Sequence, residues 1–215
     1  MNKEKRTVKL LVLALVISII FGYLYPFTTG SRLGVSFLTA VMVLVAGGWA
    51  FFNTRGDKEV RENININVKN FFWIFLITSL CALVVFLLIF ISQEKFIEFQ
   101  QKSDWSSGLS WEVFAATMLF YAVISIPLQE YIFRGYIMSV FLVNTKKVWL
   151  AITVSSILYS LSHLHYGWAL MAITLIFGFF VGWLQYRTKN LLFPIMAHMF
   201  GGLGIFLVIF LYGIL

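Results

Sequence analysis

Charge is scarce in this chain of 215 residues. Asp, Glu, Lys and Arg make up 12% of it, about half the roughly 25% of a soluble domain. With 60% apolar residues and a mean hydropathy of +0.90, too little polar surface exists to cover a soluble globule, and a soluble enzyme is excluded. The single cysteine, Cys81, lies inside an apolar run, so no intramolecular disulfide forms and a small disulfide scaffold is excluded. Internal repeats and low-complexity linkers are missing as well. The formal net charge of +7 does not point to nucleic acid, because the basic residues flank apolar runs and read as topology signals.

What is present is a series of long apolar runs. About 20 residues at a rise of about 1.5 Å cross a hydrocarbon core of about 30 Å. Leu10 to Phe27, Leu33 to Phe52 and Phe71 to Ile91 carry no charge. Val113 to Leu128 is also uncharged; it runs through Gln129, Glu130 and Arg134 and continues apolar, so Val113 to Val143 reads as one long span bent at Pro127. Val148 to about His163, Trp168 to Tyr186 and Leu191 to the last residue follow, the last interrupted by Pro194 and His198. The expected fold is all-α, a multi-spanning transmembrane bundle of about seven helices. Lys3, Lys5 and Arg6 precede the first run, which is too long for a cleaved signal peptide and lacks a small-residue cleavage site, so an uncleaved signal anchor is expected.

The basic residues orient these spans. With the N-terminus cytoplasmic, the inner side collects Lys3, Lys5, Arg6, Lys9, Arg55, Lys58, Arg61, Lys69, Lys146, Lys147, Arg187 and Lys189, and the outer side Arg32, Lys95 and Lys102. That bias follows the positive-inside rule and predicts a multi-pass cell-membrane protein. A half-spanning element near Pro127 would reverse the last three spans.

Of nine acidic residues, only Glu130 falls within a span. All three histidines, His163, His165 and His198, lie in the C-terminal half. An ionisable side chain at the bilayer centre costs about 2.5 to 3.5 kcal/mol, so it faces a partner or a cavity and marks a functional site by default. Glu130 and Arg134, four residues apart, share a helix face in the better order for an ion pair. The bland alternative is a self-neutralising structural pair. Gln129 beside them, His163 on the next span and His198 on the last shift the balance toward one shared polar pocket. His165, beside Tyr166 and Gly167 at a turn, reads as interfacial. His198 precedes Gly201, Gly202 and Gly204, which allow close backbone approach or local irregularity. Gly178 and Gly182 form a G-x-x-x-G packing face, and Trp49, Trp73, Trp111, Trp149 and Trp168 read as belt or lipid-facing residues.

Several membrane hydrolase types are excluded. A zincin needs His-Glu-x-x-His, which does not occur. An intramembrane aspartyl protease needs two aspartates within spans, and Asp57 and Asp104, the only ones, lie in loops. Ser160 and Ser162 lack the glycine-rich turn that exposes a nucleophilic serine. A glutamate and two histidines on separate helices remain, suited to general-base activation of water or to holding a metal.

In this order the residues resemble the CPBP family of CAAX prenyl endopeptidase-like and bacteriocin-processing (Abi) proteins. The resemblance rests on Gln129-Glu130-Tyr131-Ile132-Phe133-Arg134-Gly135, similar to Glu-Glu-x-x-x-Arg, on Tyr159 to His163, similar to Phe-x-x-x-His, and on His198. It covers roughly residues 112 to 205, with 1–111 as the variable N-terminal spans and 112–215 as the core of one integrated membrane domain. It implies an intramembrane endopeptidase in which glutamate and histidine activate water and a second histidine stabilises the oxyanion, with either zinc or a metal-free glutamate mechanism. Two residues depart from the pattern. Gln129 replaces the first glutamate, and an amide cannot accept a proton from water; Gly202 replaces the Asn or Asp expected four residues after His198, removing an oxyanion donor.

Two readings stay open. In one, Glu130 serves as the base, His163 and His198 complete the site, and Gln129 and Arg134 support it. In the other, the fold persists without catalysis as a partner of a membrane protein in immunity, secretion or envelope regulation. The expected partners are membrane lipids and a peptide or protein substrate, with no nucleic acid. A transporter lacks its paired broken helices.

Overall fold

The computed structural model describes residues 32–69, 72–73, 75–76, 79, 111–163 and 168–214. Every regular element among them is helical, as the apolar runs predict. The helices are α1 (Arg32–Arg55), α2 (Lys58–Glu62), α3 (Trp111–Phe120), α4 (Ile126–Glu130), α5 (Met138–Thr145), α6 (Val148–Leu161), α7 (Trp168–Thr188) and α8 (Leu192–Ile214). Two π-helical segments, Tyr121–Ser125 and Tyr131–Ile137, join α3 to α4 and α4 to α5. The expected long run is therefore helical from end to end, with wide turns on both sides of Pro127. The Ile126 N–H reaches back to the Tyr121 carbonyl and the Met138 N–H to the Phe133 carbonyl, the five-residue return that often marks functional sites. The runs expected at Leu10 to Phe27 and, for the most part, Phe71 to Ile91 lie outside the described residues, as do Cys81 and His165.

Local chemistry sets the helix ends. Asp57 caps α2, its side chain accepting from the Val60 N–H, and satisfies a donor of the open first turn. Lys146 ends α5 in the left-handed conformation at φ 57°, its N–H bonded to the Leu142 carbonyl at 2.9 Å. Lys189, at φ 50°, follows α7 in the same way and bonds the Gln185 carbonyl at 2.8 Å. Both positions place a cation at the negative end of a helix dipole. Asn190 then opens α8, its Oδ1 accepting from the Leu192 N–H at 3.1 Å. Pro194, expected to interrupt the last run, instead occupies the first turn of an unbroken helix, where its missing N–H has no intrahelical role.

The described residues form two compact units, one within Met1–Ile66 and Leu128–Pro194, the other within Asn67–Pro127 and Ile195–Leu215. In the first, α6 packs on α7 and α5, and the second π-helical segment packs on α1 and α6. Its core includes Ala50, Val60, Ile132, Tyr136, Val140, Ala151, Ile152 and Tyr159. Gly178 and Gly182 are the close-approach points of α7: a Cβ on Gly178 would stand 3.1 Å from Ser156 Cβ, and one on Gly182 3.2 Å from Ile152 Cγ2. In the second unit, α3 continues into the first π-helical segment, and Phe75 meets Phe200 edge-on at 5.7 Å.

Large apolar side chains are exposed among the described residues. Trp149, Trp168 and Ile176 are 65%, 75% and 73% exposed, and exposed apolar side chains of this size suit lipid. Trp49, one of the expected belt or lipid-facing residues, packs edge-on against Tyr136 at 5.5 Å. Among the described residues Leu170–Thr188 is long and apolar enough to cross a membrane, while Val148–Leu161 and Leu192–Gly204 are shorter apolar helices.

Candidate active site

Glu130 is the last residue of α4 and Arg134 lies one turn on, within the wide turns of Tyr131–Ile137. Arg134 Nη1 donates to Glu130 Oε1 at 3.1 Å, and both side chains are wholly buried. Arg134 Nη2 reaches the Gly178 carbonyl at 3.5 Å, a contact that depends on the close approach of the α7 backbone. Arg134 Nε, also buried, has no hydrogen-bond partner among the described residues. The guanidinium instead lies against aromatic surface, with Cζ 4.2 Å from the centre of the Tyr159 ring and 6.0 Å from that of Phe133. In such a dry setting a cation–π contact is worth about 2 kcal/mol.

Tyr159 carries the cluster to the next histidine. Its ring lies 4.6 Å from that of His163 and meets Phe133 at 5.4 Å. His163 follows the end of α6, and its Nδ1 lies 2.8 Å from the Tyr159 carbonyl. A carbonyl only accepts, so Nδ1–H donates, and in the neutral ring the lone pair falls on Nε2, the nitrogen suited to proton transfer. Ser162 Oγ, 2.6 Å from the same carbonyl, adds a second donor. Ser155 Oγ fixes the register of α6 by donating to the Phe133 carbonyl at 2.8 Å. Glu130, Arg134, Tyr159 and His163 thus form one contiguous chain of contacts within the first unit. Gln129, half-buried, precedes the glutamate.

The other histidine has its own setting in the second unit. His198, 4% exposed on α8, has Nε2 3.2 Å from Tyr121 Oη, with the two rings at 83°. Gly202 lies one turn further along α8, and a Cβ there would stand 2.7 Å from the same hydroxyl. Gly201 and Gly204 face no such contact, so of the three glycines expected to permit close approach, Gly202 is the one that uses it.

Residues 110–204 match the family model for type II CAAX prenyl endopeptidase Rce1-like proteins. Over this region the chain is similar to the CPBP family of CAAX prenyl endopeptidase-like proteins. No curated protein and no solved structure matches it. The matched stretch contains Tyr121, Gln129, Glu130, Arg134, Tyr159, His163 and His198.

Among the described residues the donors do not compose a zinc centre. Among the described residues no three His, Cys, Asp or Glu side chains stand together as a ligand set. Glu130 already faces a guanidinium at 3.1 Å, a fixed cation that opposes a dication nearby, and a zinc site needs at least three protein ligands. Tyr121 escapes sequence reasoning. Its only signal is a hydroxyl in an otherwise apolar run, and nothing in spacing links it to a histidine 77 positions away.

Proposed function

We propose that the chain is an intramembrane endopeptidase that hydrolyses a membrane-proximal peptide bond by general-base activation of water. The observation that carries this reading is the buried Glu130–Arg134 pair, joined through Tyr159 to His163 inside the family-matched region. Glu130 takes a proton from water as the hydroxide attacks the carbonyl carbon. The carbon–nitrogen bond of the tetrahedral intermediate then breaks and the proton passes to the leaving amine, with His163 Nε2 placed by its Nδ1–H bond to share in the transfer; the family resemblance assigns the oxyanion donor to His198. Gln129 orients and does not act as base, since its amide has no proton affinity of that kind. Arg134 balances the charge of Glu130 and fixes its rotamer.

The same proposal extends to topology: about seven spans, with the N-terminus cytoplasmic. One feature of the first unit supports it. The Leu191 N–H donates to the Asn65 carbonyl at 2.7 Å and Gln185 Nε2 to the Asn63 carbonyl at 3.3 Å. The segment 55–66, with Arg55, Lys58 and Arg61, and the basic turn at Arg187 and Lys189 are thereby neighbours at one end of that unit, as one cytoplasmic face requires. Membrane lipids and a membrane-associated peptide or protein are the partners.

A second reading has its own support. Complete burial of an ion pair four residues apart also describes a structural pair, and with Gln129 in the motif it fits a non-catalytic membrane partner in immunity, secretion or envelope regulation. Metal analysis of the purified protein, combined with a peptide-cleavage assay with and without chelator, separates these readings. Cleavage that survives chelation supports the glutamate mechanism. Cleavage lost on chelation assigns a metal, and no cleavage across a panel of membrane peptides supports the partner.

A further inference from the structure

We infer that Tyr121 is a positioning residue for His198, its phenol standing where a side chain at position 202 would otherwise stand. Three observations in the second unit converge on it. Tyr121 Oη lies 3.2 Å from His198 Nε2. His198 and Gly202 are four residues apart on α8, so their Cβ positions share one helix face. A Cβ on Gly202 would meet Tyr121 Oη at 2.7 Å, Cε1 at 2.9 Å and Cζ at 3.2 Å.

The last distances are the telling ones. An Ala at position 202 already collides with the phenol, and a longer polar side chain there needs the same space. The hydroxyl that contacts the imidazole comes from α3's continuation, not from α8 itself. Tyr121 opens the first π-helical segment, where a widened turn rotates the side chains that follow relative to those before it. A phenol both donates and accepts. It therefore holds the ring in either tautomer, donating to an unprotonated Nε2 or accepting from a protonated one. The glycine that removes one hydrogen-bonding side chain beside His198 thus makes room for another of comparable reach.

The catalytic consequence rests on the endopeptidase reading, but the positioning can be measured without turnover. In the full-length chain in detergent, with ¹⁵N-labelled histidine and the His198 signals assigned from H198Q, Y121F shifts the His198 ring nitrogens and leaves those of His163 in place. G202A lowers the melting temperature in the wild-type background. In the Y121A background it does not, because the collision is gone and Ala favours a helix over Gly. His198 signals indifferent to Y121F, or an equal loss from G202A in both backgrounds, overturn the inference. Where the wild type cleaves a prenylated reporter peptide, Y121F lowers kcat by about 10-fold or more with KM unchanged, and Y121A/G202N recovers part of what Y121A loses. An unchanged kcat in Y121F also overturns it. A wild type that cleaves nothing rejects the endopeptidase reading alone, since the nitrogen signals and the melting temperatures still decide the role of Tyr121.

Discussion

Arg134 lies with its guanidinium carbon 4.2 Å from the centre of the Tyr159 ring, and that contact joins an ion pair on one helix to a histidine at the end of another. Tyr159 is 1% exposed, so its ring is both core and connector. Y159F keeps the aromatic face and is expected to cost little, whereas Y159A removes a buried ring and costs about 3–5 kcal/mol. Denaturant titration in mixed micelles measures both. Y159A should also broaden the His163 ring signals, since the imidazole loses its stacking partner.

The Glu130–Arg134 pair makes a prediction of its own. E130Q leaves a buried guanidinium without its counter-ion and is expected to lose about 3–5 kcal/mol. E130Q/R134M removes both charges, and most of that stability should return. Thermal melting of the three proteins shows whether the pair behaves as a coupled unit.

The close approach of α6 and α7 is tested by adding one methyl group. G178A would force a Cβ to 3.2 Å from the Ser156 Cα, a backbone atom that cannot turn aside, and overpacking of this sort costs about 1–3 kcal/mol. It should also disturb Arg134, which donates to the Gly178 carbonyl. G201A, where a Cβ meets nothing within 4 Å, should be neutral or mildly stabilising in the same melting experiment.

Much of this was legible in the sequence wherever cost in a membrane singles a residue out. Glu130 and Arg134 stand out because an apolar run tolerates ions poorly, and their spacing of four places them together. The helical class follows from run length. The first π-helical segment was not legible, because Val113 to Leu128 is almost wholly apolar and carries no phase from which a change of period can be read, and in the second Arg134 alone is charged, too little to set a period. Trp49 resembles a belt residue by position, and only the packing of the second π-helical segment on α1 shows that Tyr136 claims it. Pro194 reads as a break until the helix is seen to begin at Leu192. The Tyr121–His198 contact is long-range and could not be found from spacing.

Gln129 separates the two ways of using the motif. With Glu130 as base, E130Q abolishes cleavage, and Q129E changes it little or lowers it by placing a like charge alongside. If the base belongs at position 129, Q129E creates or raises activity and Glu130 serves only Arg134. Initial cleavage rates of the two variants, normalised to folded protein, give opposite patterns.

The central claim, that Glu130 is the base of a peptidase, is tested most directly by the cleavage rate of E130Q/R134M beside the wild type. Both are to be reconstituted in liposomes with a panel of membrane-anchored reporter peptides that includes a prenylated CAAX sequence. The double variant leaves no buried charge at the pair and is expected to keep the fold, so lost activity cannot be assigned to an unpaired buried arginine. The account predicts cleavage by the wild type and a fall of about 100-fold or more in the double variant. Equal rates in the two proteins, or no cleavage of any peptide by the wild type, would contradict it.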